Sequence, residues 1–501
     1  MIIEDSGLQF YCLLPPVNFS YNFIYSCPEQ EIAAHSSGVN LTTPLYLPLP
    51  FGPVFDPEAQ TRRDLTVDGT KGDESLIMKV LLISANTSDI NMPTLPLGLV
   101  SVATATKAAG HEVEVLDLLA SQEPLARVKA AIESFRPEVI GIAVRNIDDQ
   151  SMENTRFLLQ EVKDVIAACR SHSRASVILG GAGYSIFPES VLSYLGTDAG
   201  IQGEGEAAFP ELLDKLQKGA SLADIPGIYL PGRGLQGERL FTKNLDSIPF
   251  PDEHLWTLPP TAGEDILIPL QTRRGCALGC NYCSTATIEG TALRKRSVDA
   301  VADGLARHAA LGFKRFYFTD NTFNMPPSYA LELCQRIIER KLDITWVCIL
   351  YPGNIEEELI RTMAAAGCRE VSLGFESGCE KILAIMNKKY TLAEVRRTSE
   401  LLVKYKIKQM GFLLLGGPGE TRGSVEESLM FADSLPLDAM KISIGIRIYP
   451  GTELAQTAVA EGLIAPEDNL LLPRFYMVPG LEAWLRETVA AWMETRPQWT
   501  F

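Results

Sequence analysis

The alternation of strand-like and helix-like segments is the feature that most constrains how this chain can fold. Between residues 79 and 218, short runs of buried-strand character alternate with stretches of helical periodicity. The strands are predicted at 79–84, 112–116, 138–144, 176–180 and 198–202, and the helices near 97–109, 125–134, 152–170 and 206–217. This order predicts an α/β domain over residues 78–218, in which helices cover both faces of a Rossmann-like, mostly parallel sheet.

Such sheets bind ligands at the carboxyl ends of their strands, so the loops at that edge are candidates for ligand contacts. These loops are 86–98, 145–149, 180–188 and 203–206, and they are long, polar or rich in glycine. Each loop alone would fit an ordinary surface turn. Four of them on one edge predict a binding crevice.

A second alternating series follows the first. Its strands are predicted at 266–272, 315–319, 343–350, 369–375, 408–415 and 440–448, and its helices near 297–311, 328–340, 356–366, 391–405, 424–434 and 453–461. Six strand–helix units predict a partial, TIM-like (β/α)6 barrel over residues 266–462, with its chemistry at the carboxyl ends of the strands. The distinctive motifs lie there, among them "DNTF" after the second strand and "ESG" after the fourth.

Three segments fall outside this alternation. Residues 1–77 are rich in Pro, Ser and aromatic residues and lack periodicity, so we expect a disordered leader, a leader absent from a native protein that starts at Met78, or an irregular arm. The Pro- and Gly-rich residues 219–265 are predicted to link the two domains. Residues 463–501 offer one amphipathic helix, 481–494, with Trp484 and Trp492 on one face. This short end leaves no domain for recruiting a peptide, which favours a small-molecule or lipid substrate.

The composition excludes several classes of protein. A net charge of -17 argues against a nucleic-acid-binding protein, because neutralising phosphates requires clustered Lys and Arg. Ten cysteines spread over 501 residues of strand and helix pattern indicate a reducing, cytoplasmic setting rather than a disulfide framework. No uninterrupted apolar run reaches the roughly 18 residues of a membrane span, and no signal peptide is apparent.

The stretch "RRGCALGCNYCST" places Cys276, Cys280 and Cys283 on one loop after the first barrel strand. This spacing lets three thiolates surround a compact inorganic centre, and the sequence shows no second Cys or His cluster that would complete a zinc site. Three thiolates on a 4Fe-4S cube leave one iron without a protein ligand, which is typical of a reactive site. The alternative is a structural metal loop. The single cysteines of the barrel are expected to be small buried hydrophobes; they are Cys334, Cys348, Cys368 and Cys379.

With Tyr282 just before the last cysteine, this CxxxCxxC loop resembles the radical S-adenosylmethionine (SAM) superfamily, over roughly residues 266–460. The resemblance implies that the three cysteines bind a 4Fe-4S cluster, that SAM chelates the open iron through its amino and carboxylate groups, and that Tyr282 lies beside the adenine. Three glycines in "GFLLLGGPGET" match the fifth-strand motif that approaches the adenine; they are Gly416, Gly417 and Gly419. Glu376 in "GFESG" matches a polar position near the ribose.

Other interpretations of these residues stay open. The superfamily's second-strand Gly-Gly-Glu signature is replaced by "FTDNTF", which leaves Asp320 and Asn321 as the matching candidates for contact with the methionine amine. Arg447 pairs either with the SAM carboxylate or with a neighbouring acid. "GGPGET" could be a tight turn before a helix capped by Thr421, and Glu376 could be a surface carboxylate.

The first domain resembles the cobalamin-binding subgroup of the same superfamily. The resemblance rests on topology, on the Pro-Leu-Gly-Leu helix start at 96–99, and on "GGAGYSIFPE" and "GEGEAAF". It implies that the edge loops wrap the corrin and its nucleotide tail, with contacts from Asn86, Thr87, Leu97, Arg145, Asn146, Gly180, Gly181, Gly203 and Glu204. The Asp-x-His-x-x-Gly loop that gives cobalt a histidine in many other cobalamin proteins is missing, and His111 is expected in a turn. A cobalt without a lower histidine is easier to reduce, which favours uptake of a methyl group from SAM.

These resemblances imply a radical SAM methyltransferase. In such an enzyme a 5'-deoxyadenosyl radical takes hydrogen from an unactivated carbon, methylcobalamin supplies the methyl group, and a donor such as flavodoxin or ferredoxin supplies electrons. One alternative is a non-methylating cyclase or rearrangement enzyme that resembles anaerobic magnesium-protoporphyrin monomethyl ester cyclase. Another is a non-catalytic cobalamin or redox sensor. Transfer RNA methylthiolation is disfavoured, because the additional cysteine trio and the basic RNA-binding end of those chains are missing.

Overall fold

The computed structural model describes residues 77–87, 95–119, 121–256 and 266–500. The predicted leader, apart from Ile77, lies outside the described residues, as does the middle of the 86–98 loop.

The first domain is the predicted open α/β sheet. Its strands are β1 (Lys79–Ser84), β2 (Glu112–Asp117), β3 (Val139–Ala143), β4 (Ser176–Gly180), β5 (Ala199–Ile201), β6 (Ile228–Leu230) and β7 (Gly234–Leu235), in the order β2-β1-β3-β4-β5-β6-β7. Its helices are α1 (Leu97–Ala108), α2 (Pro124–Phe135), α3 (Leu159–His172), α4 (Ala182–Ile186), α5 (Pro188–Leu195) and α6 (Gly205–Gln217). β1 to β5 pair in parallel, and the strand order reverses between β1 and β3.

Two expectations for this domain need correction. The predicted linker 219–265 is not all connection, because β6 and β7 lie within it and extend the first sheet by antiparallel pairing. The helix expected near 152–170 begins only at Leu159, because the preceding residues form a loop that a bridge between Asp148 and Phe157 closes. Local periodicity shows neither pairing.

The second half forms the predicted partial barrel. Its strands are β8 (Ile268–Leu270), β9 (Arg273–Arg274), β10 (Arg294–Lys295), β11 (Arg315–Phe318), β12 (Thr345–Leu350), β13 (Cys368–Glu376), β14 (Lys408–Leu415), β15 (Ala439–Ile444), β16 (Ile446–Arg447), β17 (Phe475–Tyr476) and β18 (Trp499–Thr500). Its helices are α7 (Thr285–Glu289), α8 (Val298–Ala310), α9 (Pro327–Glu339), α10 (Glu357–Ala365), α11 (Glu380–Ile385), α12 (Leu392–Lys404), α13 (Arg422–Asp433), α14 (Glu453–Ala460) and α15 (Glu482–Met493). The barrel sheet has the order β18-β15-β14-β13-β12-β11-β8 and is parallel throughout, with β8 and β18 at its two open edges.

The C-terminal segment contributes more than the one predicted helix. α15 lies where the amphipathic pattern indicates, but β17 also pairs with β16, and β18 adds a seventh strand beside β15. Both strands have only two residues, too few for a strand pattern to be recognised in sequence.

Burial alternates along the barrel strands. In β15, Met440 and Ile442 are fully buried in the barrel core beneath the helices, whereas Lys441 and Ser443 on the opposite face are partly exposed. β11 repeats this pattern, and Tyr317 is partly exposed. Because helices cover the outer face of such a barrel, the partly exposed row lines its lumen.

Candidate functional site

The cysteine loop begins after β8, where the short β9–β10 hairpin brackets it. Cys276, Cys280 and Cys283 are all partly exposed, and none forms a disulfide. The backbone N–H of Cys276 donates to the Gly290 carbonyl at 3.1 Å, and that of Cys283 donates to the Cys280 carbonyl at 3.2 Å. The backbone of the loop that carries the three thiols is therefore held by hydrogen bonds at its first and last cysteine.

Two neighbouring helices fix the far side of this loop. The Asn281 amide donates to the Ile385 carbonyl at 2.8 Å, and the Asn387 amide donates to the Gly279 carbonyl at 2.5 Å, both near the end of α11. At the start of α14, the Leu454 N–H donates to the Asn281 carbonyl at 3.0 Å. The loop conformation is thus held by contacts from elements about 100 and 170 positions further along the chain.

A buried lysine that the sequence analysis missed lies beside the cysteines. Lys388 donates to the Tyr282 hydroxyl at 2.9 Å and to Glu376 Oε1 at 3.3 Å. Burial by itself would lower the pKa of Lys388, but the charge of Glu376 and then Tyr282 raise it well above its usual value. Burial raises the pKa of Cys280, and the Lys388 charge opposes that rise. A fixed cation here favours the thiolate that binds iron. The sequence around it, "NKKY", does not distinguish the buried Lys388 from the exposed Lys389.

Glu376, predicted near the ribose, reaches this cluster through a strained backbone. Its φ is +60°, unusual for a residue other than glycine, and the pairing of β13 with β14 shifts register between Gly374 and Glu376. The alternative of a plain surface carboxylate does not fit, because its side chain is only 18% exposed and pairs with Lys388.

Asp320 and Asn321 lie at the end of β11, as predicted, but both already have protein partners. Asp320 is fully buried and accepts from the Thr272 N–H at 2.7 Å, the Thr272 hydroxyl at 2.6 Å and the Arg273 N–H at 3.0 Å. It anchors the chain just before the cysteine loop. Asn321 donates to Glu289 Oε2 at 2.7 Å. Their contact with the methionine amine stays a prediction. The bond to Glu289 uses the amide N–H of Asn321 and not its oxygen, whereas both oxygens of Asp320 already accept hydrogen bonds from the protein.

The glycine motif after β14 forms a tight turn. The Gly416 N–H donates to the Glu420 carboxylate, and the turn leads into α13, capped by the Thr421 hydroxyl as one alternative predicted. A methyl group added at Gly416 would collide with the side chain of Met477, and one added at Gly417 would collide with that of Ile446. These glycines approach other protein groups closely, and their approach to an adenine stays a prediction.

Arg447 has the neighbouring acid as its partner. Its Nε donates to Asp148 Oδ2 at 2.9 Å, and its other nitrogens donate to the carbonyls of Ile448 at 2.7 Å and Leu470 at 2.9 Å. With every nitrogen engaged and the side chain 3% exposed, Arg447 joins the barrel to the first domain. Its contact with the SAM carboxylate stays a prediction.

A small cleft lies at the switch point between β1 and β3 in the first domain. Its lining residues are Ala85, Asn86, Ala143, Val144, Arg145, Asn146, Leu158, Glu161 and Val162. The structure thereby brings together three predicted contacts, Asn86, Arg145 and Asn146, and Thr87 donates to Glu161 at its rim. Sheets of this strand order bind nucleotide-containing cofactors at this point. The amide and guanidinium groups of Asn86, Arg145 and Asn146 suit the phosphate and amide groups of a cobalamin tail.

The remaining predicted corrin contacts lie outside this cleft. Leu97 is the first residue of α1, and Gly180 ends β4. Gly181 packs against the backbone of Val144, and Gly203 lies under the guanidinium of Arg239. Glu204 forms ion pairs with Arg274 and Arg294 of the barrel. Their role toward a corrin stays a prediction.

The cofactor edge of each domain, meaning the loops at the carboxyl ends of its parallel strands, faces that of the other domain. α4, which follows the glycine loop of the first sheet, lies against α7, which follows the cysteines. The Phe187 ring lies 6.2 Å from that of Tyr449. Burial raises the pKa of Tyr449, and Asp148 of the first domain and Cys283 of the loop raise it further. Tyr449 therefore lies between the two edges.

Below these edges, the lumen presents the partly exposed faces of the barrel strands. The residues on this face are Arg315, Tyr317, Thr319, Thr345, Val347, Ile349, Glu370, Ser372, Gly374, Glu376, Phe412, Leu414, Lys441 and Ser443. A charged residue in an otherwise apolar strand, as in "MKISI", is the sequence signal that could have identified them. Burial raises the pKa of Glu370 to about 8.

The described part of the chain has neither a preformed cluster of metal ligands nor a helix that could cross a membrane. No three His, Cys, Asp or Glu side chains there are grouped so as to hold a metal ion. No helix there has the length and apolarity needed to cross a membrane. The cysteine loop offers three sulfur donors from one loop beside a buried cation, and thiolates are the donors that iron–sulfur clusters take, so the residues fit such a cluster.

Two family models match the chain. The model of the radical SAM superfamily matches residues 270–432, which include the cysteine loop. The model of the B12 binding domain matches residues 83–213, which include the switch-point cleft.

Curated relatives and solved structures extend this similarity to both domains. The chain is 28% identical over 399 residues to an uncharacterized methyltransferase of Pyrococcus horikoshii, which covers 77% of this chain and 84% of that protein. It is 25% identical over 449 residues to tryptophan 2-C-methyltransferase of Streptomyces laurentii, which covers 76% of this chain and 75% of that protein. The radical SAM methyltransferase TsrM from Kitasatospora setae, solved with tryptophan and a SAM analogue, superimposes with a TM-score of 0.73 at 24% identity over 83% of this chain and 88% of that one. The two-domain fold is therefore shared.

Proposed function

The chain is a cobalamin-binding radical SAM enzyme, and we propose that it transfers a methyl group from SAM to an unactivated carbon of a small-molecule substrate. The observation that carries the proposal is that the cofactor edges of the two domains face each other, with α4 packed against α7. Carbon methylation by this chemistry requires hydrogen removal and methyl delivery at one substrate atom, so both cofactors must open onto one space. The methyltransferase relatives support the same reaction class.

In this proposal each group of residues has a role that follows from its place in the structure. Cys276, Cys280 and Cys283 hold the 4Fe-4S cluster, and the residues of the switch-point cleft contact the cobalamin. When bound, the cluster supplies the electron that cleaves SAM to a 5'-deoxyadenosyl radical, and the cobalamin supplies the methyl group. Lys388 keeps a positive charge beside Cys280. The lumen residues surround the substrate and exclude water.

The proposal also includes an electron source and a compartment. Reductive cleavage of SAM would consume one electron, and returning the corrin to the state that takes a methyl group from a second SAM would consume another. An external donor such as flavodoxin or ferredoxin would supply both. All eight cysteines that the structure describes are free, which supports a reducing compartment, and we propose the cytoplasm.

Methyl-deuterated SAM tests this function. We expect anaerobically reconstituted protein with a strong reductant to release 5'-deoxyadenosine and to place the deuterated methyl group on its corrin, which mass spectrometry of the extracted corrin detects. SAM cleavage without label on the corrin would instead favour a cyclase or rearrangement enzyme. A protein with full iron and cobalt content that never cleaves SAM would favour a sensor.

The cluster assignment has its own test. We expect Cys280→Ala to lose most of its iron and sulfide and to form 5'-deoxyadenosine more than about a hundredfold more slowly, since residues that merely support metal ligands already change activity 10- to 100-fold. Cys379→Ala removes a partly exposed cysteine outside the loop and should keep its iron. Full iron and sulfide content in Cys280→Ala would contradict the assignment.

A further inference from the structure

Four buried charged side chains connect the cysteine loop to the first domain. Glu206, in the first turn of α6, accepts two hydrogen bonds from Arg274 of β9, at 2.5 Å and 3.3 Å. Glu204, two residues earlier, pairs with Arg294 of β10 and lies 3.6 Å from Arg274. Two carboxylates of one domain thus meet two guanidinium groups of the other.

These charges are almost completely removed from water. The exposed fractions of the side chains are 7% for Glu206, 10% for Glu204, 12% for Arg274 and 7% for Arg294. A buried charge is costly unless it is paired and hydrogen-bonded. The Thr242 N–H donates to Glu204 at 2.8 Å, and Arg294 donates to the Glu289 carbonyl at 2.6 Å. The network is therefore satisfied only in the docked arrangement of the domains.

Both ends of this network attach to the elements that face the cofactors. Arg274 lies two residues before Cys276, and Gly275 between them donates to Glu289 Oε2 at 3.0 Å. Glu204 directly follows Gly203 in the loop after β5, at the carboxyl edge of the first sheet, and Glu206 lies in the first turn of α6 that this loop leads into. A shift of α6 relative to the barrel would pull on the chain next to the first cysteine.

We propose that Glu204 and Glu206 are positioning residues that fix the cysteine loop relative to the cobalamin-binding edge, and so set the separation of the two metal centres. Bidentate arginine–carboxylate geometry suits this role, because it restrains direction as well as distance. The inference concerns the placement of both cofactors and goes beyond the reaction proposed above.

A second buried ion pair across the same boundary supplies the matched control. Asp148 and Arg447 are 2% and 3% exposed and 2.9 Å apart. Arg447 lies on β16, which pairs with β17 and not with the cysteine loop. Asp148→Asn therefore removes one charge of a buried pair across the same boundary without changing a contact of the chain beside Cys276.

The test measures the distance between the paramagnetic cobalt(II) corrin and the reduced cluster by pulsed electron paramagnetic resonance in holoenzyme. We expect a narrow distance distribution in the wild type and in Asp148→Asn. Glu206→Gln should broaden or shift the distribution of cobalt-to-cluster distances, while its iron and cobalt contents stay unchanged. The same variant should transfer the deuterated methyl group to the corrin at least tenfold more slowly.

A distribution in Glu206→Gln that matches the wild type would overturn the inference, as would equal broadening in Asp148→Asn. If Glu206→Gln does not retain both cofactors, Glu206→Asp, which keeps the charge on a shorter side chain, decides by the same measurement. The distance requires only that both cofactors bind. A wild type with a narrow distribution but no label on its corrin would therefore refute the proposed function and leave this inference standing.

Discussion

The first domain and the barrel each carry a glycine-rich loop after a parallel strand, at 180–181 after β4 and at 416–419 after β14. Both loops are predicted to bring backbone close to a cofactor. A methyl group added at Gly181 would lie 2.6 Å from the Val144 carbonyl oxygen, whereas one added at Gly419 would lie 2.5 Å from Cδ1 of Ile385. The first neighbour is backbone of the adjacent cofactor loop, and the second is the end of a side chain.

This difference separates two uses of glycine that look alike in sequence. In the first domain, glycine lets two loops of the cofactor edge pack on each other, and the backbone there cannot retreat without moving β3. In the barrel, the turn has a neighbour that can change rotamer. A glycine-rich loop thus predicts a close approach, but it does not say whether a ligand or the protein itself approaches.

Gly181→Ala should have the largest effect on this comparison. Its φ of +103° disfavours any side chain, and the backbone clash adds to that strain, so we expect a loss of about 3 kcal/mol in stability and weaker cobalamin retention. Gly98→Ala in α1, where nothing lies within 4 Å, is the matched control and should be neutral or slightly stabilising. Urea unfolding and cobalt content check both. Equal free energies of unfolding for Gly181→Ala and Gly98→Ala would contradict the proposed packing of Gly181 against the backbone.

Gly419→Ala should have a smaller effect. Its φ of +76° still costs energy, but Ile385 can move, so we expect a loss of about 1 kcal/mol. Cobalamin retention should not change, because this turn lies in the barrel. A loss as large as that of Gly181→Ala would show that the barrel turn is as rigid as the loop of the first domain.

Glu420→Gln should have the smallest effect, visible only as a change in pH dependence. Burial raises the pKa of Glu420 from 4.5 to about 7, against hydrogen bonds from Gly416 and Gly417 that lower it. Between these values the folded protein keeps a proton that the unfolded chain has lost. Stability therefore falls as pH rises through this window and levels off above it. Gln cannot ionise, so the fall in stability across this window should be smaller in Glu420→Gln by on the order of 1 kcal/mol. Unfolding midpoints from pH 5 to 8 check this, and parallel curves would contradict it.

The sequence predicted the strands of both sheets well, because each strand carries its own local pattern. The strands at 79–84, 176–180 and 408–415 match their predicted bounds. The short β6, β7, β17 and β18 were missed. Unlike the equally short β5 and β8, they do not lie within a longer apolar run, and they are strands only through pairing with their neighbours.

The candidate site likewise has features that local sequence predicts and features that depend on distant parts of the chain. The three cysteines and the turn capped by Thr421 are local, so their spacing alone predicted them. The partners of the charged residues are not local. Arg447 and Asp148 are 299 positions apart, Lys388 and Tyr282 are 106 apart, and Arg294 and Glu204 are 90 apart.

The sequence by itself therefore determined two parallel sheets, the edge of each that carries chemistry, and a loop with three thiolates. Periodicity and residue spacing encode these features, because both act over a few residues. Only the tertiary structure decided that Arg447 pairs with an acid, that Lys388 lies beside Cys280, and that Glu204 and Glu206 join the first domain to the cysteine loop. Those pairings depend on how the domains dock, and docking is set by surfaces assembled from distant segments.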